Sequence, residues 1–309
     1  MKTIVIFTRT IDANGYPFSD EYHWNAYQDL LLALKARGVA AYFVTDQATY
    51  AGQGRFTRAY TVDAKVPVDE FQEVADATAD LVFEKGGFAA DDVMVLNPKF
   101  VASITASKLE TYRHFAKYQP KSTICADRAE LEQAFIDTPG ELIVVKEPES
   151  NGGRAVLIGR KEDIISQVPA VYPLIVQEFM DTSVGVPGYV EGIHDVRVKI
   201  GGGAVFGGMI RTPAPGEYRA NLAQGGSVRH LTPTEIPPAA LELALEIDCF
   251  FEKYPRYYAL DFANTTNGWK LIELNNKPGL SPSAVSAQAK LVIENLADYL
   301  IEICPNNDN

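Results

Sequence analysis

The sequence predicts an α/β (α+β) protein of two or three subdomains, with a small parallel sheet first and antiparallel hairpins later. Three observations carry that expectation. Within residues 3–44 a β-branched apolar run, a helical pattern and a second apolar run follow one another, the order that makes a parallel strand-helix-strand unit. Further on, alternating runs from Asp195 to Ile200 and from Val205 to Ile210 flank Gly201-Gly-Gly203, which reads as a hairpin with a glycine turn. Finally, 309 residues with 47% hydrophobic content are enough chain for more than one core.

Element by element, Thr3 to Thr8 is the opening strand. A helix from about His23 to Arg37 closes on Gly38, a residue suited to the left-handed C-cap, and Ala40 to Val44 is the next strand. Leu81 to Phe83 and Val93 to Leu96 read as further buried strands, and Asn97-Pro98 breaks the pattern and starts a connection. A first boundary falls near residue 105, giving an N-terminal domain over 1–105. A helix from Ser107 to about Tyr118 opens a central part over 106–182, which holds a strand at Leu142 to Lys146, a polar glycine-bearing loop, and a strand at Val156 to Ile158. The third part, 183–309, holds the hairpin, a helix from Ala239 to Tyr254, strands at Tyr257 to Phe262 and Trp269 to Leu274, and a closing helix from about Ser283 to Ile303. Residues 181–192 and 212–227 are dense in Gly and Pro and read as long loops, which in compact domains are usually functional.

Charge and composition narrow the function. A formal net charge of −12 repels nucleic acid and anionic membranes unless cations gather in one cleft, so no nucleic-acid or membrane partner is expected. The three cysteines, Cys125, Cys249 and Cys304, are far apart and suggest neither a disulfide framework nor a zinc site. The start shows no signal-peptide pattern, and no stretch approaches the roughly 18 apolar residues of a membrane span; the expectation is a cytoplasmic enzyme. His23, His114, His194 and His230 are scattered, although His194 adjoins Asp195 and could line a cleft. Trp24, Tyr22 and Tyr27 read as packing on the first helix.

Two segments carry chemistry. In Val144-Val-Lys146-Glu-Pro-Glu-Ser-Asn151-Gly152-Gly153-Arg154, a strand delivers a lysine beside paired glycines whose amides can approach an anion, the outline of a phosphate cradle. A solvated hairpin would look the same. In Leu271-Ile-Glu273-Leu-Asn275-Asn-Lys-Pro278-Gly279, residues two apart on a strand share a face, so Glu273 and Asn275 present oxygens together and Asp261 can join from a neighbouring strand. Three hard oxygens suit magnesium on nucleotide phosphates, and a hairpin with a polar outer face is the plain alternative.

Lys108, Lys146 before a Gly-Gly loop, Val176-Gln-Glu-Phe-Met180, Asp195-Val-Arg197, and Asp261 with Glu273-x-Asn275-x-x-Pro278-Gly279 occur in one order that resembles the ATP-grasp ligases. Pro215-Gly216-Glu-Tyr-Arg219-Ala-Asn221-Leu222-Ala-Gln-Gly225-Gly226 points to the branch that holds bacterial-type glutathione synthetase and the ribosomal-protein polyglutamate ligase. The match runs over roughly residues 97–303. The resemblance implies an ATP-grasp fold: an N-terminal parallel-sheet domain, a central lid domain and a C-terminal antiparallel-sheet domain. It also implies an ADP-forming carboxylate-amine ligase that passes through an acyl phosphate.

By the same resemblance, Lys108, Lys146, Asn151, Gly152, Gly153 and Asp195 bind nucleotide, and Gln177, Glu178, Phe179 and Met180 form the hinge, where the backbone of Glu178 and Met180 reads the adenine edge and side-chain identity matters little. Asp261, Glu273 and Asn275 hold Mg2+, with Mn2+ as a substitute. Arg197 and Arg211, with Lys146, face the transferred phosphate and the acceptor carboxylate; Arg219, Asn221, Gly225 and Gly226 belong to the loop over the substrates. The partners implied are small-molecule carboxylates and amines, an amino acid or peptide among them, and a homo-oligomer stays open. Glu147 and Glu149 make the phosphate loop more acidic than is usual in those relatives, and the first hundred residues match no specific relative. Outside the ligase class stand a kinase acting on a carboxylate or hydroxyl, and a nucleotide-binding module without chemistry.

Overall fold

The β-branched run at the start forms β1 (Thr3–Phe7), after which Asp20 caps α1 (Glu21–Ala36) by accepting the Tyr22 amide at 2.8 Å. In this computed structural model the described residues are 1–9, 17–149, 155–218, 220 and 225–306. Gly38, at φ +76°, turns the chain out of α1, and β2 (Ala40–Val44) then pairs parallel with β1 in register from Thr3 opposite Ala40. Short strands follow: β3 (Tyr50–Gly52), β4 (Arg55–Phe56), β5 (Ala59–Thr61), β6 (Gln72–Val74) and β7 (Ala77–Thr78). β8 (Leu81–Glu84) pairs parallel with β1, and β9 (Met94–Val95) parallel with β8.

Among the described residues the first sheet therefore runs β6-β5-β2-β1-β8-β9, with β3, β4 and β7 in a small sheet of their own. The expected parallel sheet is present, and antiparallel β5 and β6 extend one edge of it. Their short polar runs carry too little apolar periodicity to be read in the sequence.

After Asn97-Pro98 the chain makes a helix rather than a connection. Pro98 occupies the N-cap of α2 (Lys99–Ala106), and Ser107 caps α3 (Lys108–Phe115) directly behind it, which a 3-10 turn carries to Tyr118; the helix expected from Ser107 to about Tyr118 is present, and α2 precedes it. Next come β10 (Ser122–Cys125), α4 (Arg128–Asp137), β11 (Leu142–Lys146), β12 (Val156–Arg160), α5 (Lys161–Ile164) and β13 (Leu174–Glu178). They give an antiparallel sheet in the order β10-β13-β11-β12. One face of it packs on Leu131, Ala134 and Phe135 of α4 in a separate apolar core.

The third sheet, β16-β15-β14-β17-β18, is antiparallel throughout. It comprises β14 (Asp195–Gly201), β15 (Ala204–Thr212), β16 (Ser227–Leu231), β17 (Tyr257–Thr265) and β18 (Gly268–Asn275), with α6 (Pro238–Asp248) against its apolar face. Gly202 and Gly203, at φ +56° and +90°, make the hairpin turn that the glycine run predicts. Of the expected helix to Tyr254, α6 proper stops at Asp248 and a single 3-10 turn carries it to Phe251.

The last helix, α7 (Ala287–Ile303), returns to the first sheet and α1. Ile293, Leu296, Ala297 and Leu300 share one core with Ile4, Leu30, Leu31 and Leu34. Arg37 at the end of α1 donates to Asp298 at 2.6 Å and to Glu294 at 2.5 Å. Among the described residues no helix is long and apolar enough to cross a membrane.

Candidate functional site

Between the second and third sheets lies a cleft of about 880 Å3, partly open to solvent. On one wall β11 brings Val144 and Lys146, and β12 brings Val156 and Ile158; on the other, β14, β15, β17 and β18 bring Asp195, Arg211, Asp261 and Glu273. Lys108 enters from the first turn of α3, whose position is fixed by a backbone bond from the Lys108 amide to the Pro148 carbonyl at 2.9 Å.

Strand alternation explains the charged wall. Asp195 and Arg197 point one way from β14 while Val196 and Val198 enter the core. Register then sets Arg211 opposite Asp195, and Asp261 opposite both Arg197 and Glu273. Arg197 forks onto Asp261 with two bonds of 2.6 Å, while Arg211 bridges Asp195 at 2.6 Å and Asp261 at 2.7 Å. These charge-assisted bonds are short and directional. Burial alone would raise the Asp261 carboxyl, but Arg197 and Arg211 outweigh it and hold it at about 2. Burial likewise opposes the charge on Arg211, and Asp195 and Asp261 more than restore it.

A β-bulge completes the wall. The register shifts between Asp261 and Phe262, so that Phe262 faces Leu271 while Asp261 faces Glu273. With Ile272 the extra residue, both it and Glu273 line the cleft. The plain alternation expected from the sequence puts Ile272 on the opposite face; the inserted residue overturns that expectation.

On the second sheet, Lys146 is buried and donates to Gln177 Oε1 at 2.6 Å, while Gln177 Nε2 donates to Ser122 Oγ at 2.8 Å. Burial lowers Lys146 to about 8, with Glu273 resisting and Lys108 adding to it. Lys108 Nζ lies 3.8 Å from Glu273 Oε2; burial lowers its pKa and Glu273 and Glu147 oppose the shift. Gln177, in a hinge where side-chain identity is expected to matter little, thus has a task for its side chain. Phe179 and Met180 also line the cleft, and Phe179 meets Tyr218 edge to face at 5.2 Å. Glu178 is held by its amide on the Lys121 carbonyl at 3.0 Å.

His194 lines the cleft too. Its Nδ1 pairs with the Gly192 carbonyl at 2.9 Å and its Nε2 accepts the Asn264 amide at 3.2 Å. Those partners assign a neutral tautomer with the proton on Nδ1, in keeping with burial, which lowers its pKa. Thr182, Ile193 and Tyr218 line the cleft as well. No signal in the sequence marks the first two, because their loop has no periodicity.

Asn275 lies one strand step past Glu273 and its Oδ1 accepts the Lys277 amide at 3.0 Å. Arg197 stands beside Asp261 with its side chain 12% exposed, and Gly225 and Gly226 lead into β16. Asn151, Gly152, Gly153, Arg219 and Asn221 fall outside the described residues.

The oxygens fit a hard cation in number and kind. Asp261 Oδ1 accepts one N–H and Oδ2 two, so of about four lone-pair positions one remains on Oδ1, beside the Glu273 carboxylate. Among the described residues no group of three or more His, Cys, Asp or Glu is arranged as a metal site.

Comparison with known proteins agrees with the fold. A family model described as the RimK-like ATP-grasp domain matches residues 106–300. A probable alpha-L-glutamate ligase of Shewanella halifaxensis is 26% identical over 201 residues, covering 62% of this chain and 41% of the relative. One from Rhodopirellula baltica is 25% identical over 222 residues, covering 69% and 51%. The chain thus spans about half the length of these curated relatives. A RiPP-associated ATP-grasp ligase of Chryseobacterium gregarium, solved with ADP and a leader and core peptide, superposes with a TM-score of 0.62 at 13% identity over 100% of this chain and 99% of that one. D-alanyl-alanine synthetase A of Vibrio cholerae gives 0.63 at 13% identity over 97% and 96%. At such identities the likeness is one of fold.

Proposed function

Because this chain belongs to the RimK-like ATP-grasp family, we propose that it is an ADP-forming carboxylate-amine ligase whose substrates include an amino acid or a peptide. One observation carries the reading: two lysines from one side and the Asp261–Glu273 pair from the other converge on a single cleft that also has an apolar part. Apolar side chains such as Val144, Val156, Ile158 and Ile272 suit a purine, and the charged end suits its phosphates.

A carboxylate oxygen of the acid substrate attacks the terminal phosphorus of ATP and ADP leaves; the amine then attacks the carbonyl carbon of the acyl phosphate and phosphate leaves. The barrier to the first step is the meeting of two anions, so the protein contributes position and neutralisation. Lys108 and Lys146 carry positive charge to the phosphates. Arg211 is held in place by Asp195 and Asp261 and presents its fork without having to reorganise. Mg2+, held by Asp261, Glu273 and Asn275, would supply further neutralisation of the phosphate oxygens. Asn151, Gly152 and Gly153 are proposed to cover the phosphates, and Arg219, Asn221, Gly225 and Gly226 the acid and amine.

The test is ADP release with a panel of amino acids and short peptides, run beside Glu273→Ala. Stimulation by at least one pair, lost in the variant, is the expected outcome. Nucleotide binding without any stimulated turnover would sink the ligase reading, and accumulation of a phosphorylated acid with no amine consumed would make the protein a kinase.

A further inference from the structure

β14 continues past the cleft. Asp195, Arg197 and Lys199 form one row at every second residue, about 7 Å per step, and Lys199 is 2% exposed. Its ammonium donates to the Gly279 carbonyl at 2.9 Å. From the first sheet, Lys85 at the exit of β8 donates to the Pro278 carbonyl, also at 2.9 Å. Two lysines from different domains therefore end on consecutive carbonyls of a single turn. The backbone just after Lys85 runs tight against the exit of β1: a Cβ on Gly86 would lie 2.3 Å from the Thr8 carbonyl carbon, so only glycine fits there.

The charges around this turn do not balance. Lys277 is paired with Glu84 at 2.6 Å, and Asp261 is already shared by Arg197 and Arg211. Lys85 and Lys199 each have three donors and one neutral acceptor apiece. Burial pushes both down to about 7 and neighbouring cations push the same way, while Glu84, already paired with Lys277, opposes the shift at Lys85. Like charges buried together with their nearest carboxylate already engaged are costly.

A second, independent observation lies beside them. Tyr257 is fully buried, and among the described residues its hydroxyl has no hydrogen-bond partner. It shares the face of β17 that carries Asp261, its ring lies 6.0 Å from that of Phe83, and the Lys85 ammonium stands 5.4 Å over that same Phe83 ring. The Arg197 charge reaches its phenol. If the lysines served only to latch the turn to the sheets, one ammonium would suffice and the phenol would stay orphaned.

We propose that Lys85, Lys199 and the Tyr257 hydroxyl form a subsite for a second, non-reacting carboxylate, carried by either the acid or the amine substrate. The carboxylate accepts from both ammonium groups and from the phenol, and Lys85, half-buried, is the side from which it enters. The proposal rests on the ligase reading, in which the reacting carboxylate lies beside Asp261 and Glu273.

The experiment is calorimetric titration of the full chain, with and without a non-hydrolysable ATP analogue and Mg2+, using two probe pairs that differ by one carboxylate, glutarate against butanoate and 4-aminobutanoate against butylamine. The wild type should bind glutarate or 4-aminobutanoate at least about tenfold more tightly than its partner probe, the scale of one charge-assisted hydrogen bond. Lys85→Met and Lys199→Met should abolish the preference, and Lys85→Arg should keep part of it. A preference for glutarate places the second carboxylate on the acid; one for 4-aminobutanoate places it on the amine. Equal binding within both probe pairs by the wild type, or a preference that survives in both methionine variants, overturns the subsite. Failure of the wild type to bind the ATP analogue would instead count against the ligase reading, and the nucleotide-free titrations keep the two failures distinguishable.

Discussion

The two walls of the cleft handle charge in opposite ways. On the β14–β18 sheet, Asp195, Arg197, Arg211 and Asp261 satisfy one another through four bonds of 2.6–2.7 Å, and no member can leave without orphaning another. On the β10–β13 sheet a buried cation, Lys146, donates to one neutral amide, Gln177, and feels Glu273 and Lys108 only across the cleft. The first arrangement is stiff and holds its geometry before any substrate arrives. The second leaves an ammonium whose best partner is the ligand itself. Networks fix positions, and a sparsely held charge gives affinity.

That contrast can be broken experimentally. Asp261→Asn should be the most damaging change, since it strips two buried guanidinium groups of their carboxylate. A loss of about 3–5 kcal/mol in unfolding free energy is expected from a broken buried pair, together with a fall of at least about a thousandfold in ADP formation, read by chemical denaturation and by coupled assay. Lys146→Met should separate the two walls. It is expected to cost roughly a hundredfold in kcat/KM for ATP while leaving the denaturation midpoint within experimental error, and a large destabilisation would show that the second wall is a network after all.

The same lysine sets a pH limit. Its folded pKa is lowered to about 8 from 10.5, so the ammonium is intact below pH 8 and is lost as pH rises through that value. Apparent ATP affinity should then fall by up to about tenfold per pH unit above 8. Lys146→Arg should flatten that slope, because a guanidinium does not deprotonate there. Gln177→Leu is the mildest probe: it removes one neutral acceptor and should raise the KM for ATP about fivefold, the scale of a single hydrogen bond.

Legibility in the sequence follows the same divide. The charged wall is readable because its residues lie at alternate positions on long strands, and the spacing of Glu273 and Asn275 states which side they face. The bulge at Ile272 is not readable, since one inserted residue changes the register of two strands without changing the composition of either. Gln177 is visible as a position but not as a side-chain anchor, because its partners Ser122 and Lys146 are distant in sequence and meet only through strand order. α2 escapes notice because Pro98 reads equally as a break and as a helix start. The third sheet announces itself as hairpins, whereas β10, α4 and β16 do not, being short or weakly amphipathic.

The return of α7 to α1 carries a consequence for how the molecule comes to exist. Leu30, Leu31 and Leu34 are covered by side chains that leave the ribosome more than 250 residues later, so the first sheet has to wait, its apolar face open, until residues 287–303 arrive. The two later sheets can close over their own cores in the meantime. The part of the chain made first is therefore the part finished last.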